Sequence, residues 1–552
     1  MRGRGLRFVA ALIVTCAPLG ANGRGTADAP SLCAALAGTR LSPARIGLPT
    51  RGAVIDQARF QPAVTSPEHP TPDYCQVVGA IRPMDPRAPD IRFELDLPTA
   101  WNGKALMLGG GGFDGFIPDT SGPLLGQPAD KATPPLLRGY ATFGGDSGHQ
   151  ASSPAVPIPA VDGAFAANDE ALRNYAADAL KKTHDAALTL IVRRYGRAPA
   201  HTYFAGGSNG GREALAVVQR WPRDFDGAIA AFPFWNAGTA ILAFGVVSRA
   251  FAAPGAYPDP AKRALVLRAE LAQCDGLDGL KDGLISNVDA CRFDPATLRC
   301  PGGADAGENC LSDAQVAALK AYASPFAFPF RPPGGERSYP AYTALSGAEI
   351  EDPVQLGTAA PSFPPSLGMP LAAHVWDQFA RFAIARDPGF NSLSLDPQHP
   401  GRYAARLNQV VDMLDMKASN LSAFRRRGGK LLVYHGLADP LLSHRSTEAY
   451  WRRLEATMGA RAVGSFARFY VVPGYGHGAG TFLPVWDPLT VLETWRERGQ
   501  APGALVATDA NPAGGERSRP LCVHGSWPAY DVHGDPDRAT SFRCQADTRK
   551  GG

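Results

Sequence analysis

The pentapeptide Gly206-Gly207-Ser208-Asn209-Gly210 constrains the fold of this chain more than any other segment. Residues 199–205 (PAHTYFA), which precede it, are rich in the aromatic and β-branched residues of a short β-strand. Residues 211–220 (GREALAVVQR), which follow it, space small and apolar residues as in a helix that packs on a sheet. A strand, a G-x-S-x-G turn and a helix are typical of the nucleophile elbow of an α/β-hydrolase, with Ser208 as the nucleophile. The pentapeptide alone is equally compatible with an ordinary glycine-rich loop, so the prediction depends on its flanking elements and partner residues.

The partners of an elbow serine are a carboxylate and a histidine, which follow it in that order along an α/β-hydrolase chain. Residues 430–434 (KLLVY) predict a buried strand, and Asp439 lies on the loop after it. Residues 467–472 (ARFYVV) predict another strand, and the glycine-rich loop that follows carries His477. We therefore predict Asp439 as the acid of a catalytic triad and His477 as its base. Other candidates are an alternative acid and two histidines interpreted as structural, namely Asp487, His435 and His444.

A second glycine-rich loop is a candidate for the oxyanion hole. Residues 101–108 (WNGKALML) enter a predicted strand, and the run Gly109–Gly112 follows it. Glycines let backbone N–H groups approach a developing oxyanion without a side chain in the way. A phosphate-binding loop is the competing interpretation, but no Lys-Ser/Thr pair follows and the spacing is not G-x-G-x-x-G. We predict that the amides of Asn209 and one of the glycines Gly110–Gly112, Gly111 in first place, form the oxyanion hole.

With these motifs the chain resembles the tannase and feruloyl esterase family, which includes an esterase that hydrolyses mono(2-hydroxyethyl) terephthalate. The resemblance extends from about Cys33 to Cys544. It rests on Trp101-Asn-Gly with Gly109–Gly112, Asp146-Ser-Gly-His149, and residues 203–211, 224–227, 428–430, 435–440 and 473–477. It implies an α/β-hydrolase fold, and it assigns Ser208, Asp439 and His477 as nucleophile, acid and base.

One departure from the family pattern lies beside the predicted triad. In that family a cysteine usually precedes the nucleophile and another follows the catalytic histidine, and the two form a disulfide. Here both positions are glycine, Gly207 and Gly478. We expect a looser connection between the serine and histidine loops, and any substrate inferred from disulfide-bearing members is less secure.

The predicted sheet is interrupted in the middle of the chain. Strand-like segments stop after residues 229–233 and resume at Lys430. We therefore predict an α/β-hydrolase core built from residues 24–235 and 428–552, with a lid domain at residues 236–427. Within this lid, Trp376 and Phe379 are candidate substrate contacts, although their helical spacing is equally typical of core packing. Two arginines could meet a carboxylate on an aryl substrate, namely Arg381 and Arg386.

Charge and the N-terminal segment indicate the compartment and exclude some partners. The formal net charge is +4 and 19% of residues are charged, which argues against a nucleic-acid or polyanion partner. Residues 1–23 combine three arginines, an apolar stretch and small residues at a cleavage site, so we predict a signal peptide and not a membrane anchor. Cys16 suggests a lipoprotein signal, but Thr15 before it fits that pattern poorly. The expected location is secreted, either periplasmic or extracellular.

Eight cysteines remain after the predicted signal peptide, an even number that suits disulfides in an oxidising compartment. Zinc is the alternative use, but no C-x-x-C pair occurs. The sequence by itself leaves the pairing open. The family resemblance suggests Cys33–Cys75, Cys274–Cys291, Cys300–Cys310 and Cys522–Cys544.

A glycine-punctuated acidic loop in the lid is a candidate metal site. Asp275, Asp278 and Asp282 offer hard oxygen ligands, which suit calcium better than zinc. The resemblance implies a structural calcium held by these aspartates and by the Leu280 and Leu284 carbonyls. A solvated acidic turn is the alternative. We expect the ion to rigidify the lid and to take no part in catalysis, and we expect no organic cofactor.

These observations predict a secreted serine esterase that acts on small aromatic esters of the feruloyl, cinnamoyl or galloyl type through an acyl-enzyme. One alternative is a hydrolase of other small esters, such as a terephthalate monoester or a hydroxyalkanoate oligomer. A second alternative, from a different class, is a calcium-stabilised binding protein without catalysis. The oligomeric state is not predicted.

Overall fold

The structure is a computed structural model that describes residue 1 and residues 28–66, 69–124, 127, 131–153, 156–329 and 336–546. Residues 2–23 of the predicted signal peptide, with Cys16, therefore lie outside the described residues.

The strands and helices follow each other along the chain with a long strand-poor stretch in the middle. The strands are β1 (Arg40–Leu41), β2 (Ala53–Gln61), β3 (Tyr74–Ile81), β4 (Ile91–Pro98), β5 (Lys104–Leu108), β6 (Ala141–Gly145), β7 (His201–Gly207), β8 (Gly227–Ala231), β9 (Phe326–Ala327), β10 (Ser338–Tyr339), β11 (Lys430–Gly436), β12 (Ala467–Val472), β13 (Pro484–Val485), β14 (Leu505–Asp509), β15 (Ser518–Val523), β16 (Ser526–Tyr530) and β17 (Phe542–Ala546). The α-helices are α1 (Ala29–Ala34), α2 (Asp169–Arg173), α3 (Ala179–Tyr195), α4 (Asn209–Arg220), α5 (Ala237–Ala252), α6 (Pro260–Cys274), α7 (Asp313–Tyr322), α8 (Leu371–Gln378), α9 (Ala404–Leu414), α10 (Ser422–Arg426), α11 (His444–Met458), α12 (Ala460–Gly464) and α13 (Pro488–Arg498). Two short π-helical segments, Asn174–Asp178 and Phe379–Ala385, continue α2 and α8.

One mixed sheet of 13 strands organises the molecule, in the order β1-β2-β3-β4-β6-β5-β7-β8-β11-β12-β15-β14-β13. Its centre, from β6 to β12, is parallel, and the strands on both sides of this centre are antiparallel. Central parallel strands are covered on both faces, which is why β8 reads as an unbroken small apolar run and is buried at every residue. This is the predicted α/β-hydrolase architecture.

Alternate residues of the central strands enter two separate hydrophobic cores. On β7, Phe204 packs in the larger core, whereas Tyr203 and Ala205 pack in the smaller one. The smaller core is closed by α13 through Leu489, Leu492 and Trp495. The carboxyl ends of β5, β7, β11 and β12 therefore stand fixed between two packed layers, at the edge where α/β folds place their sites.

The chain leaves the sheet after β8 and returns at β11, which is the parallel neighbour of β8 with Ala231 opposite Tyr434. Between these strands, residues 232–429 form a helical insert in which α5 packs against α7, α8 and α9.

Four disulfides close local loops: Cys33–Cys75, Cys274–Cys291, Cys300–Cys310 and Cys522–Cys544. The pairing expected from the family resemblance is thus confirmed. Among the helices of the described residues, none has the length and apolar character needed to cross a bilayer.

Candidate active site

Ser208 stands on the sharp turn between β7 and α4 with φ 57° and ψ −119°. A non-glycine residue with this backbone costs on the order of 1–3 kcal/mol and persists only where its surroundings hold it. Ser208 N–H donates to the Ala231 carbonyl at 3.1 Å, and the Ser208 carbonyl accepts from Phe234 N–H at 2.9 Å. A Cβ on Gly206 would lie 2.6 Å from the Gly210 carbonyl carbon, so the turn requires glycine there.

His477 connects Ser208 to Asp439. Its Nε2 lies 3.0 Å from Ser208 Oγ, and its Nδ1 lies 2.9 Å from Asp439 Oδ2. These distances suit a neutral imidazole that donates through Nδ1 and accepts the serine proton at Nε2. Asp487 is elsewhere, where it caps α13 by accepting from Thr490 N–H at 2.9 Å. The structure thus brings together the three predicted residues and not the alternative acid.

The Asp439 carboxylate is buried and receives several hydrogen bonds. Its Oδ1 accepts from Leu441 and Leu442 N–H, both at 2.8 Å. Burial alone would raise the pKa of Asp439, but His477 and His435 together hold it well below its ordinary value. The carboxylate of Asp439 is therefore held in its ionised form beside His477 Nδ1.

The glycine run Gly109–Gly112 follows β5 and passes beside the elbow. Gly110 N–H donates to Glu213 Oε2 at 3.2 Å, so this N–H already has an acceptor. Gly111 and Gly112 border the same cavity as Ser208 and His477. Asn209 is the first residue of α4, where a backbone N–H has no acceptor within its own helix. The Asn209 and Gly111 amides therefore stay the predicted oxyanion donors.

A buried polar network lies behind these two loops, and the motif analysis did not predict it. Asp114 and Glu213 are two carboxyl groups with almost no solvent exposure. Arg212, also fully buried, donates through Nε to Asn209 Oδ1 at 2.7 Å and through its terminal nitrogens to the Tyr175 and Ala176 carbonyls. Asp114 and Glu213 are about 100 positions apart in the sequence. Their contact arises from the tertiary structure, and no local sequence pattern predicts it.

A cavity of about 240 Å³ opens at Ser208 and His477. Its walls are apolar and come from the core and from the insert, with Phe113, Phe234 and Phe244 among them. In the described part of the chain, Gln355 is the polar side chain of the wall apart from Ser208 and His477, and no Arg, Lys, Asp or Glu contributes. The site therefore suits an uncharged acyl group.

The expectation that Trp376 and Phe379 contact the substrate needs correction. Both are buried in the larger core, and neither belongs to the cavity wall. Trp376 Nε1 donates to the Ser392 carbonyl, and a Cβ on Gly245 would lie 2.7 Å from its ring. The helical spacing thus marks a core-facing surface. Leu371 and Val375, both on α8, border the cavity instead.

The two arginines considered for substrate binding are occupied elsewhere. Arg381 forms an ion pair with Asp377 at 3.0 Å, and Arg386 pairs with Asp169. Neither arginine lines the cavity.

Three segments of the insert support the loop that carries the acid. Tyr322 Oη donates to the Pro440 carbonyl, and Ser443 N–H donates to Tyr339 Oη at 3.0 Å. Thr343 Oγ1 donates to the Leu437 carbonyl at 2.8 Å. Glu349 connects both catalytic loops, because its N–H donates to the Ala438 carbonyl while its carboxylate accepts from Thr481 N–H at 2.7 Å. The position of Asp439 thus depends on the insert as well as on β11.

The acidic loop of the insert lies outside the cavity. Its carboxylates accept backbone N–H groups, as Asp275 does from Gly283 at 3.1 Å and Asp278 from Leu280 at 3.0 Å. Asp282 forms an ion pair with Arg519 at 2.5 Å. Burial, together with the neighbouring carboxylates, raises the pKa of Asp278 to about 6. No set of three oxygens, one from each aspartate, has all its members within 4.8 Å of one another. A shared ion would therefore have to draw the three carboxylates together.

Comparison with known proteins shows the family of the chain. The family model described as tannase and feruloyl esterase matches residues 75–545. An uncharacterised esterase of Agrobacterium fabrum is 37% identical over 538 residues, which cover 94% of each chain. Mono(2-hydroxyethyl) terephthalate hydrolase of Piscinibacter sakaiensis is 31% identical over 551 residues, which cover 90% of this chain and 89% of that protein.

Solved structures show the same fold. Feruloyl esterase B from Aspergillus oryzae superposes with a TM-score of 0.75 at 22% identity, covering 94% of this chain and all of that one. Tannin acyl hydrolase from Aspergillus niger gives a TM-score of 0.68 at the same identity. From its sequence match, its fold and its esterase relatives, the chain belongs to the tannase and feruloyl esterase family of carboxylic ester hydrolases.

Proposed function

We propose that this protein is a secreted serine esterase that hydrolyses small esters of aromatic carboxylic acids, of the feruloyl or cinnamoyl type and including galloyl esters, through an acyl-enzyme. The observation that carries the proposal is the chain of contacts from Ser208 Oγ through His477 to Asp439 at the end of an apolar cavity. Relatives named as probable feruloyl esterases, such as that of Arthroderma benhamiae at 28% identity, support the acyl class.

In the first half-reaction, His477 Nε2 takes the proton of Ser208 as Oγ bonds to the ester carbonyl carbon. The negative charge moves to the carbonyl oxygen, where the Asn209 and Gly111 amides stabilise it. When the tetrahedral intermediate collapses, the ester bond breaks and the alcohol leaves with the proton from His477. Asp439 stabilises the transient imidazolium without taking a proton itself.

In the second half-reaction, water replaces the alcohol. His477 accepts one proton of the water as its oxygen attacks the acyl carbon, and the proton returns to Ser208 Oγ when the acid is released. Gly207 and Gly478 carry no side chain at the two positions that flank Ser208 and His477 in the sequence. The charge-neutral cavity wall favours a cinnamoyl-type acyl group over a terephthalate monoester, whose free carboxylate would be desolvated without a cation.

The test is a comparison of initial rates for the mature protein and its Ser208→Ala variant on methyl ferulate, methyl gallate, a terephthalate monoester and p-nitrophenyl alkanoates. We expect activity on methyl ferulate that the variant loses by at least 10³-fold, and a p-nitrophenol burst equal to the enzyme concentration. A preference for the terephthalate monoester would instead support the activity named for the Piscinibacter relative. No activity on any ester by folded protein would favour the binding-protein alternative and overturn the proposal.

We also propose that the acidic loop holds a structural calcium ion and that the protein acts outside the cytoplasm. The donor chemistry fits calcium, because three carboxylates lie within eight residues and the ion pair of Arg519 with Asp282 offsets the charge of only one of them. Asp275, Asp278 and Asp282, with the Leu280 and Leu284 carbonyls, would bind the ion, which supplies charge neutralisation and cross-linking. The four disulfides support an oxidising compartment, periplasmic or extracellular.

A further inference from the structure

Two segments form the proposed oxyanion hole, and each provides a carboxyl group that binds the other. Asp114 belongs to the loop that contains Gly109–Gly112, and its Oδ1 accepts from Asn209 Nδ2 on the elbow. Glu213 belongs to the helix after the elbow, and its Oε2 accepts from Gly110 N–H at 3.2 Å. Each segment is thus held in place by a hydrogen bond to a carboxyl group of the other segment.

The two carboxyl groups meet around Gly110 in a fully buried space. A Cβ on Gly110 would lie 2.4 Å from Asp114 Oδ2, while Gly110 N–H contacts Glu213 Oε2. Ser147 Oγ, from the loop after β6, lies 3.4 Å from Glu213 Oε1. Asp114 Oδ2 is buried and meets no donor with hydrogen-bond geometry in the described part of the chain. A proton carried between the two carboxyl groups would satisfy this oxygen.

The surrounding charges also favour one retained proton. Arg212 is the cation that faces the pair, and its nitrogens donate to Asn209 Oδ1 and to backbone carbonyls. Tyr175 is a further titratable neighbour, and burial raises the pKa of its hydroxyl. If both carboxyl groups were ionised, the pair and Arg212 would carry a net negative charge close to the oxyanion that develops during the reaction. Burial, followed by mutual repulsion, raises the pKa of Asp114, and burial raises that of Glu213.

We propose that Asp114 and Glu213 share one proton and act as a positioning pair that cross-links the two halves of the oxyanion hole and keeps its surroundings free of excess negative charge. The inference rests on the proposed esterase function. Neither residue touches the substrate cavity; both act through Asn209 and Gly110. Loss of the shared proton at alkaline pH adds negative charge behind the oxyanion and lowers kcat without a matching change in KM.

The experiment measures kcat and KM of the wild type, Asp114→Asn, Asp114→Ala and Glu213→Gln on p-nitrophenyl acetate between pH 6 and 10. We expect Asp114→Ala to lower kcat by about 10-fold or more at pH 7, with KM within about threefold, since one oxyanion donor contributes about 10²–10³-fold. Asp114→Asn keeps a donor and an acceptor, so it should recover a large part of this loss and should lack the alkaline fall in kcat of the wild type. Glu213→Gln should likewise lack that fall.

The matched control is Asp96→Asn on β4, which replaces another fully buried carboxyl group that contacts Thr120 and not the site. It should retain the wild-type pH profile. If Asp114→Ala has wild-type kcat, or if Asp114→Asn shows the same alkaline fall as the wild type, the proposal is overturned.

A second readout does not require turnover. Because the pair titrates above the ordinary carboxyl range when folded, the wild type should lose Tm relative to Asp114→Asn as the pH rises from about 4 toward the pKa of the pair. A constant Tm difference over this range would count against proton sharing. Loss of ester hydrolysis in Ser208→Ala establishes the esterase separately, so a failure of the pair and a failure of the esterase proposal are distinguishable.

Discussion

His435 Nε2 lies 3.3 Å from Asp439 Oδ2, the same oxygen that His477 Nδ1 contacts at 2.9 Å. The acid of the proposed triad is thus held between two histidines, of which only His477 reaches Ser208. His435 Nε2 also lies 3.0 Å from the Leu442 carbonyl, and its Nδ1 lies 2.8 Å from Thr447 Oγ1. Two oxygen acceptors at Nε2 indicate that this nitrogen carries the proton and that the Thr447 hydroxyl donates to Nδ1. His435, interpreted as structural from the sequence, is a positioning residue for Asp439.

Replacing His435 should impair catalysis through Asp439. We expect His435→Phe to lower kcat on p-nitrophenyl acetate by about 10-fold or more, because Asp439 loses a hydrogen-bond donor and its carboxylate becomes less well oriented. His435→Gln, which can still donate to Asp439, should retain more activity. The steady-state rates, with Tm measured for each variant, check this. Equal kcat for the phenylalanine variant and the wild type would show that His435 only fills space.

The ionisation of Asp439 should also appear in stability. Its folded-state pKa is depressed below the unfolded value of about 3.9, so its contribution is present above that pH and is lost as the pH falls. The Tm difference between the wild type and Asp439→Asn should therefore be steady from about pH 5 to 8 and should shrink below about pH 4. Thermal unfolding across this range checks the expectation. A difference that widens toward acid pH would mean that the carboxyl is protonated in the folded protein.

Two adjacent glycines of the oxyanion loop should respond differently to the same substitution. Gly112 has φ +59°, and a Cβ there would lie 2.0 Å from the Ala160 carbonyl oxygen, whereas a Cβ on Gly111 would meet nothing within 4 Å. Gly112→Ala should destabilise the protein by at least about 1–2 kcal/mol from its backbone conformation alone.

The matched variant Gly111→Ala should keep the wild-type Tm. Its methyl group would stand at the cavity wall, so kcat/KM should fall more for methyl ferulate than for p-nitrophenyl acetate. Urea unfolding and the two rate ratios test both statements. Similar destabilisation by both substitutions would contradict the described loop geometry.

Calcium should stabilise the protein if the acidic loop binds it. We expect 1 mM CaCl2 to raise Tm by several degrees over the same protein in EGTA, because an ion bound by the folded state alone stabilises it by mass action. Asp278→Asn should lose most of this shift. Asp313→Asn, which removes an exposed aspartate paired with Arg299 in the same insert, should keep it. The same Tm in CaCl2 and in EGTA for the wild type would refute the calcium proposal.

The sequence was sufficient where function depends on the order of strands and loops. Ser208, Asp439 and His477 each follow a short apolar strand. Because parallel strands have their carboxyl ends at the same edge of the sheet, the proximity of these three residues could be predicted from the sequence. The α/β-hydrolase fold followed from the same pattern. The antiparallel strands β1 to β4 on one side of the sheet could not be predicted in this way, because their pairing depends on contacts between strands and not on a motif.

The sequence was insufficient where several elements share one buried space. A helical period identifies the apolar side of α8, but it does not tell whether Trp376 on that side meets the cavity or the core. Asp114 and Glu213 carry no signal of their meeting, since each alone resembles an ordinary surface acid. The second role of His435 depends on a turn that folds it back onto Asp439. Such relationships arise from packing and are visible only in three dimensions.

The polar bonds from the insert to the loop of Asp439 limit how such enzymes can be recombined. Because β8 and β11 are neighbours, a foreign segment spliced between them would leave the sheet intact. A transplant that replaced Tyr322, Tyr339, Thr343 and Glu349 would nevertheless remove the supports of the acid. Chimaeras that exchange the cavity-facing α8 and α5 while retaining residues 322–349 should therefore acquire new substrate preferences and keep a correctly positioned acid. Exchange of the whole insert should give enzymes that fold but have a low kcat.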